Sequence, residues 1–301
     1  MDWSETKAFL SPCFPEEMRA ELELLYPGEL REIRVRVGQP TTLVTASRTA
    51  SLQWRPSKGA VERLAEALAD HGLYARGEET RQGFVTLRGG HRLGLCGRVL
   101  TGEGRVRALR DIAFLCLRIA GQWPGAADAL MPWAVREGRV RSMLLVGLPG
   151  TGKTTLLRDL ARQLGSGRQA VQVGLVDERG ELAACVDGVP QLEVGERTDV
   201  LDGCPKTEAV AWFLRAMAPQ VLITDELADA SAAAAVLEAI YSGVPVLASA
   251  HGAGLHELAQ RPVLAAMMSR RVFDLYAVLD SEGTGRITAL YDRSGSALPF
   301  H

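Results

Sequence analysis

Residues 147–154 read GLPGTGKT, with glycines, one lysine and one threonine at the spacing G-x-x-x-x-G-K-T. That spacing suits phosphate chemistry. Gly147, Gly150 and Gly152 let the backbone wrap so that successive N–H groups converge on an anion. Leu148, Pro149, Thr151 and Thr155 complete the nucleotide-binding stretch, and the helix expected from Lys153 onward adds a favourable dipole. Lys153 would reach the β- and γ-phosphates of ATP, and the Thr154 hydroxyl would hold Mg²⁺. Three other polar groups end apolar runs. QVLITDE (220–226) delivers Asp225, expected to contact Mg²⁺ through water, and Glu226, expected to polarise the attacking water. DERGE (177–181) places Asp177, Glu178 and Glu181 beside the rim of the P-loop strand, where a second carboxylate orients water or metal. ASAHG (248–252) closes VPVLASAHG with His251. A lone histidine there is ordinarily a satisfied core or surface residue. Following the strand of Asp225 and Glu226, it is expected at the same rim, bonded to the γ-phosphate or to Glu226. It would then sense nucleotide state and pass loss of the γ-phosphate to the loop after it.

The elements that must position these groups alternate from residue 142 onward: strand, glycine loop, helix, strand. SMLLV (142–146), VQVGLV (171–176), VLIT (221–224) and VPVLASA (244–250) are apolar enough to be buried strands. KTTLLRDLARQLG (153–165), TEAVAWFLRAMA (207–218, stopped by Pro219) and DASAAAAVLEAIYSG read as helices between them. Such a rhythm predicts a mainly parallel sheet covered on both faces, with ligands outside the carboxyl ends of its strands. Before residue 120 the texture differs. REIRVRV (31–37) alternates Ile33, Val35 and Val37 with Arg34 and Arg36, as a half-buried strand does. PTTLVT (40–45) is a second strand candidate. SKGAVERLAEALADHG (57–72) reads as a helix with Ser57 near its N-cap and Gly72 past its end. FVTLRG, HRLGLCGRVL and IAFLCLRIA are strand-like pieces broken by glycine turns. The expected division is a mixed α/β domain over 1–120, a hinge (GQWPG) and linker helix over 121–141, and a P-loop α/β domain with a covered, mainly parallel sheet over 142–301.

Composition bounds the alternatives. The chain has 301 residues, 47% of them hydrophobic, and no apolar run approaching the roughly 20 residues that span a bilayer. Its start lacks the basic and apolar regions of a signal peptide, and a net charge of −2 gives no whole-chain case for nucleic acid or anionic membrane. Five scattered cysteines without a C-x-x-C pair fit free thiols in a reducing cytosol, so a cytoplasmic protein is expected. Basic residues are almost all arginine. Lys7, Lys58, Lys153 and Lys206 are the only lysines, which makes each position informative.

GLPGTGKTTLLRDLAR, VGLVDERGELAACVDGVPQLEVGERTDVLDGCPK, PQVLITDEL and VLASAHG together resemble the stage III sporulation protein AA family of endospore-forming bacteria, itself similar to type II and type IV secretion ATPases. LREIRVRVGQP, LGLCGRVLTGEGRVRALRDIAFLCLRIA and VFDLYAVL extend the resemblance over most of the chain. It implies that DERGE corresponds to the acidic box of secretion ATPases, through Asp177 or Glu178, and ASAHG to their histidine box. It further implies a RecA-like P-loop ATPase fold over 142–301 and a hexameric ring whose N-terminal arginines help complete the nucleotide site: Arg107, Arg110 and Arg118 lie in the matching stretch, and Arg197 matches a second basic position. The sequence departs from the pattern where Asp225-Glu226 stands for Gly-Glu, and where Ala228 and Leu275 stand for arginine. The resemblance implies a Mg²⁺-dependent ATPase energising a membrane-embedded sporulation complex, peripheral to the membrane through protein partners on the mother-cell side, not inserted into it. Two other readings use the same core fold: a motor stimulated by nucleic acid through an arginine-rich N-terminal surface, which the charge does not favour, and a slow nucleotide-binding regulator.

Overall fold

The structure, a computed structural model, describes residues 3–25, 29–73, 76–281 and 285–300. The chain divides into two compact units, 1–121 with 185–192, and 122–184 with 193–301. The boundaries differ from those expected on sequence. Residues 122–141 belong to the second unit, held there by the Ala127 amide, which donates to the buried Asp159 carboxylate at 2.8 Å. Residues 185–192 leave it for the first unit, where Val186 and Val189 form a small bridge and the Gly89 amide donates to Gln191 Oε1 at 3.0 Å.

Among the described residues the first unit holds a six-stranded antiparallel sheet in the order β3-β2-β1-β6-β5-β4. Its strands are β1 (Leu30–Arg36), β2 (Thr42–Thr45), β3 (Thr49–Ser51), β4 (Phe84–Thr86), β5 (Arg92–Gly102) and β6 (Arg105–Arg118). Helices α1 (Trp3–Leu10), α2 (Glu16–Glu23), α3 (Lys58–Leu68) and α4 (Gly77–Arg81) accompany it. The alternation in β1 buries Ile33 and Val35 against Met18, Leu64, Leu93 and Leu115. Ser57 caps α3, its hydroxyl accepting from the Ala60 amide. That helix stops short of Gly72 because Asp70 and His71 turn to positive φ.

The second unit opens with α5 (Met131–Ala134), much shorter than the expected linker helix, and a two-stranded ribbon, β7 (Val135–Arg136) and β8 (Arg139–Val140). Glu137 and Gly138 both take positive φ and turn the chain into a tight hairpin instead of a helix. The main elements follow as β9 (Met143–Gly147), α6 (Lys153–Leu164), β10 (Val173–Asp177), β11 (Thr198–Asp202), α7 (Lys206–Trp212), β12 (Val221–Glu226), α8 (Ala230–Tyr241), β13 (Val246–His251), α9 (Leu255–Leu258), α10 (Pro262–Ser269), β14 (Leu275–Leu279), β15 (Ile287–Asp292) and β16 (Ala297–Leu298). The sheet order is β11-β10-β12-β13-β9-β14-β15-β16, parallel from β11 to β14 and antiparallel beyond. Every residue of β9, β10 and β14 is buried, which explains their unbroken apolar runs. After α7 the helix widens into a π-turn, Phe213–Met217, and leaves through Ala218 in left-handed backbone before Pro219.

Candidate functional site

The carboxyl ends of β9, β10, β12 and β13 carry the expected polar groups. Gly147 sits beside His251 in the β9–β13 register. The loop that follows is tight: a Cβ on Gly147 would lie 2.5 Å from Thr151 Oγ1, which itself donates to the Leu148 carbonyl. Gly150 and Gly152 take φ of 79° and 97°, the left-handed region in which a side chain is strained. Gly152 is the N-cap of α6 and brings no capping side chain, so the first amides of that helix stay open to an anion. Leu148, Pro149 and Gly150 are exposed at the rim, whereas Thr151 and Lys153 are buried, and Thr154 and Thr155 lie half-buried in the first turn of α6.

Lys153 Nζ donates to the carbonyls of Gly147 and Leu148, both at 2.8 Å, and lies 3.1 Å from His251 Nδ1. An ammonium can only donate, so Nδ1 accepts. The ring is then neutral with its proton on Nε2, which faces Glu226 Oε1 at 3.3 Å. Burial holds the Lys153 ammonium below the usual lysine pKa, against the pull of the Glu226 charge. Glu226 is also held by Arg179 Nη1 at 3.1 Å. The Gly252 amide donates to the Gly147 carbonyl at 3.3 Å, and Arg261 donates to the His251 carbonyl at 2.8 Å, tying the chain on both sides of His251. Lys153, His251, Glu226 and Arg179 thus form one chain of contacts.

Between Ile223 and Glu226 the β12–β13 register slips, three residues of β12 opposing two of β13. Such a bulge re-aims side chains. Here Glu226 meets His251, while Asp225 points to a buried lysine the motifs did not include: Lys206, whose Nζ is 2.7 Å from Asp225 Oδ1 and 2.7 Å from Glu178 Oε2. Burial works against the Lys206 ammonium, but the two carboxylates more than offset it and its pKa lies above the ordinary value. Burial, helped by the nearby Asp177 charge, keeps the Asp225 pKa above the usual range despite Lys206.

DERGE does not sit beside the P-loop strand as expected, because β12 and β13 intervene between β10 and β9. Its residues divide their tasks. Asp177 is fully buried and accepts from the amides of Glu181, Leu182, Ala183 and Ala184 at 2.7–3.3 Å. Its lone pairs are occupied by the 181–184 loop, which Arg158 also grips through the carbonyls of Glu181 and Leu182. The geometry therefore gives Asp177 a loop-fastening task in place of the expected one on water or metal. Glu178 faces Lys206, and Arg179 faces Glu226.

Of the arginines expected from resemblance, the one in this unit, Arg197, is not brought to the rim. Arg197 precedes β11 at the amino end of the sheet, exposed, its Nη1 donating to the Ala170 carbonyl at 2.9 Å. The five residues of β11 span about 16 Å at the usual strand rise, from that end to the rim. Arg107, Arg110 and Arg118 all lie on β6, in the first unit. Arg107 pairs with Glu103 at 2.5 Å, Arg118 lies 3.5 Å from Glu32, and Arg110 stands opposite Arg98. Sequence reading missed Lys206, Arg179 and Arg261. The scarcity of lysine pointed to the first; Arg179 lay within DERGE but was passed over for its carboxylates, and no motif pointed to Arg261.

The family model for sporulation stage III, protein AA matches residues 17–298. The stage III sporulation protein AA of Bacillus subtilis (strain 168) is 40% identical over 296 residues, covering 96% of each chain. Among solved structures, the ATPase DotB of Yersinia pseudotuberculosis superimposes with a TM-score of 0.60 over 93% of this chain and 80% of that one, at 15% identity. The pilus retraction motor PilT with bound ADP gives 0.56 over 83% and 74%, also at 15%. At such identity the likeness speaks for fold alone: a RecA-like α/β core with a smaller N-terminal sheet. No helix among the described residues is long and apolar enough to cross a membrane.

Proposed function

The chain belongs to the stage III sporulation protein AA family, and from that membership and the rim geometry we propose that it binds ATP at Gly147–Thr155 and hydrolyses it. The observation that carries this reading is the contact chain from Lys153 through His251 to Glu226 at the mouth of the glycine loop. An incoming phosphate competes for Lys153 with two backbone carbonyls and draws the ammonium toward the β- and γ-oxygens. His251 then loses its donor at Nδ1, so arrival of the nucleotide is felt at Glu226. Glu226 accepts a hydrogen bond from the attacking water and takes its proton as the water oxygen bonds to the γ-phosphorus and the bond from that phosphorus to the β,γ-bridging oxygen breaks, leaving ADP and phosphate. The donor set suits Mg²⁺ carried on the nucleotide: among the described residues no group of three or more His, Cys, Asp or Glu could hold a metal ion, and Mg²⁺ takes much of its coordination from phosphates and water. The Thr154 hydroxyl would hold it, with Asp225 behind, and it would neutralise charge on the phosphate oxygens.

Family and fold together support a motor that works as a homo-oligomer, a hexameric ring in the proposal, on a membrane-embedded sporulation complex reached through protein contacts from the cytoplasmic, mother-cell side. Arg107, Arg110 or Arg118 of one copy would then serve a neighbour's site. Phosphate release from ATP by the purified chain, compared with Lys153→Ala, tests the activity. Release that depends on Lys153 and on added Mg²⁺ is expected, and equal release from both proteins would contradict it.

A further inference from the structure

Lys206 belongs to no phosphate-binding motif, yet it lies inside the carboxylate cluster. It is the first residue of α7 and one of four lysines in the chain. Its side chain is 7% exposed and bridges two carboxylates that follow adjacent strands, Asp225 of β12 and Glu178 just past β10. A compact ammonium can donate separately to two such groups, where a planar guanidinium fork would favour one. Glu226 next to them has its own partners, Arg179 and His251. Each of the three carboxylates therefore has an assigned cation or donor. From this partition we propose that Lys206 is a positioning residue for hydrolysis, fixing Asp225 and Glu178 so that Arg179 and His251 remain with Glu226.

The proposal rests on the ATPase reading. Without Lys206, Asp225 and Glu178 are two carboxylates with no cation between them, and Arg179 is a cation whose charge Asp225 already feels. Drawing Arg179 away loosens Glu226, the group that orients water. The glycine loop, which holds the phosphates, is untouched. Loss of Lys206 should therefore slow turnover and spare nucleotide binding.

The test compares wild type, Lys206→Met, Lys206→Arg, Glu178→Gln and the Lys206→Met/Glu178→Gln double variant. Affinity is read with a fluorescent ATP analogue, and kcat and KM by phosphate release. Lys206→Met should lose roughly 10–100-fold in kcat, as removal of groups that orient a site usually does, with analogue affinity and KM unchanged. Lys206→Arg should recover part of the loss. The double variant should be no slower than Lys206→Met, because both changes act through one set of contacts. Wild-type kcat in Lys206→Met, or equal proportional losses of kcat and affinity, would overturn the proposal. Should Lys206→Met fail to fold, Lys206→Arg, which keeps the charge, carries the test: kcat below wild type at unchanged affinity supports the role, and wild-type kcat overturns it. No turnover in the wild-type chain would count against the ATPase reading itself, whereas an active wild type with an unaffected Lys206→Met would count against Lys206 alone.

Discussion

His251 accepts from Lys153 at Nδ1 and faces Glu226 with Nε2, so a neutral ring suffices for its place in the site. Asparagine can accept and donate at similar reach but cannot titrate. His251→Asn should accordingly keep part of the turnover and His251→Ala almost none, with ATP binding retained in both. Measuring kcat and affinity from mildly acidic to mildly alkaline pH checks this, and equal kcat in all three proteins would return His251 to an ordinary strand-end residue. Asp177 makes a different prediction. Asparagine would turn an NH₂ group toward backbone amides that need an acceptor, so Asp177→Asn should destabilise the protein by about 1–3 kcal/mol in chemical denaturation. The glycine loop, Asp225-Glu226 and His251 were legible in the sequence because each is a local pattern at a strand end. Lys206 and Arg179 were not, since their partners follow from which strands lie side by side. Asp177 was legible as a rim carboxylate, but its task depends on four amides of a folded loop that no spacing announces.

The elements explain why the rim assembles. β9, β10, β12 and β13 could be read as strands because buried parallel strands are continuous apolar runs. Their order could not, and placing β10 beside β9 overlooked the two strands between them. β11 escaped because TDVLD is half polar, in keeping with its partly exposed edge position, and β14 because a five-residue apolar run, LYAVL, does not by itself distinguish a strand from a buried helical turn. The loop after β9 is the most demanding element. Gly147→Ala would set a methyl group 2.5 Å from Thr151 Oγ1 and 3.2 Å from Leu279 Cβ. Thr151 is locked by its bond to Leu148 and cannot give way freely. ATP affinity should fall at least about 10-fold, roughly 1.4 kcal/mol, with little change in secondary structure. Titration with the fluorescent analogue alongside circular dichroism checks it, and unchanged affinity would mean that the loop has slack.

At the scale of the whole molecule, stability acquires a pH dependence from the first unit. There His91 is 1% exposed, its Nδ1 accepts from the Ala120 amide, and burial pushes its pKa down from 6.5 to about 4. The unfolded chain binds that proton more readily, so the stabilisation from a neutral His91 is complete above about pH 6.5 and is lost as pH falls towards 4. That amounts to about 3 kcal/mol, and His91→Leu should flatten this part of the denaturation profile. In a working assembly, turnover per chain should rise with protein concentration if neighbouring copies complete one another's sites, and a flat dependence with a monomeric mass would argue against the ring. A variant that separates hydrolysis from nucleotide binding must spare the phosphate contacts. Glu226→Gln does, because it keeps the glycine loop and Lys153 intact and removes only the carboxylate that orients water. The decisive measurement is ATP affinity and phosphate release on the same preparation of this variant. Wild-type affinity with release reduced to background is the predicted result, and release at the wild-type rate would contradict the assignment of Glu226 as the group that activates water.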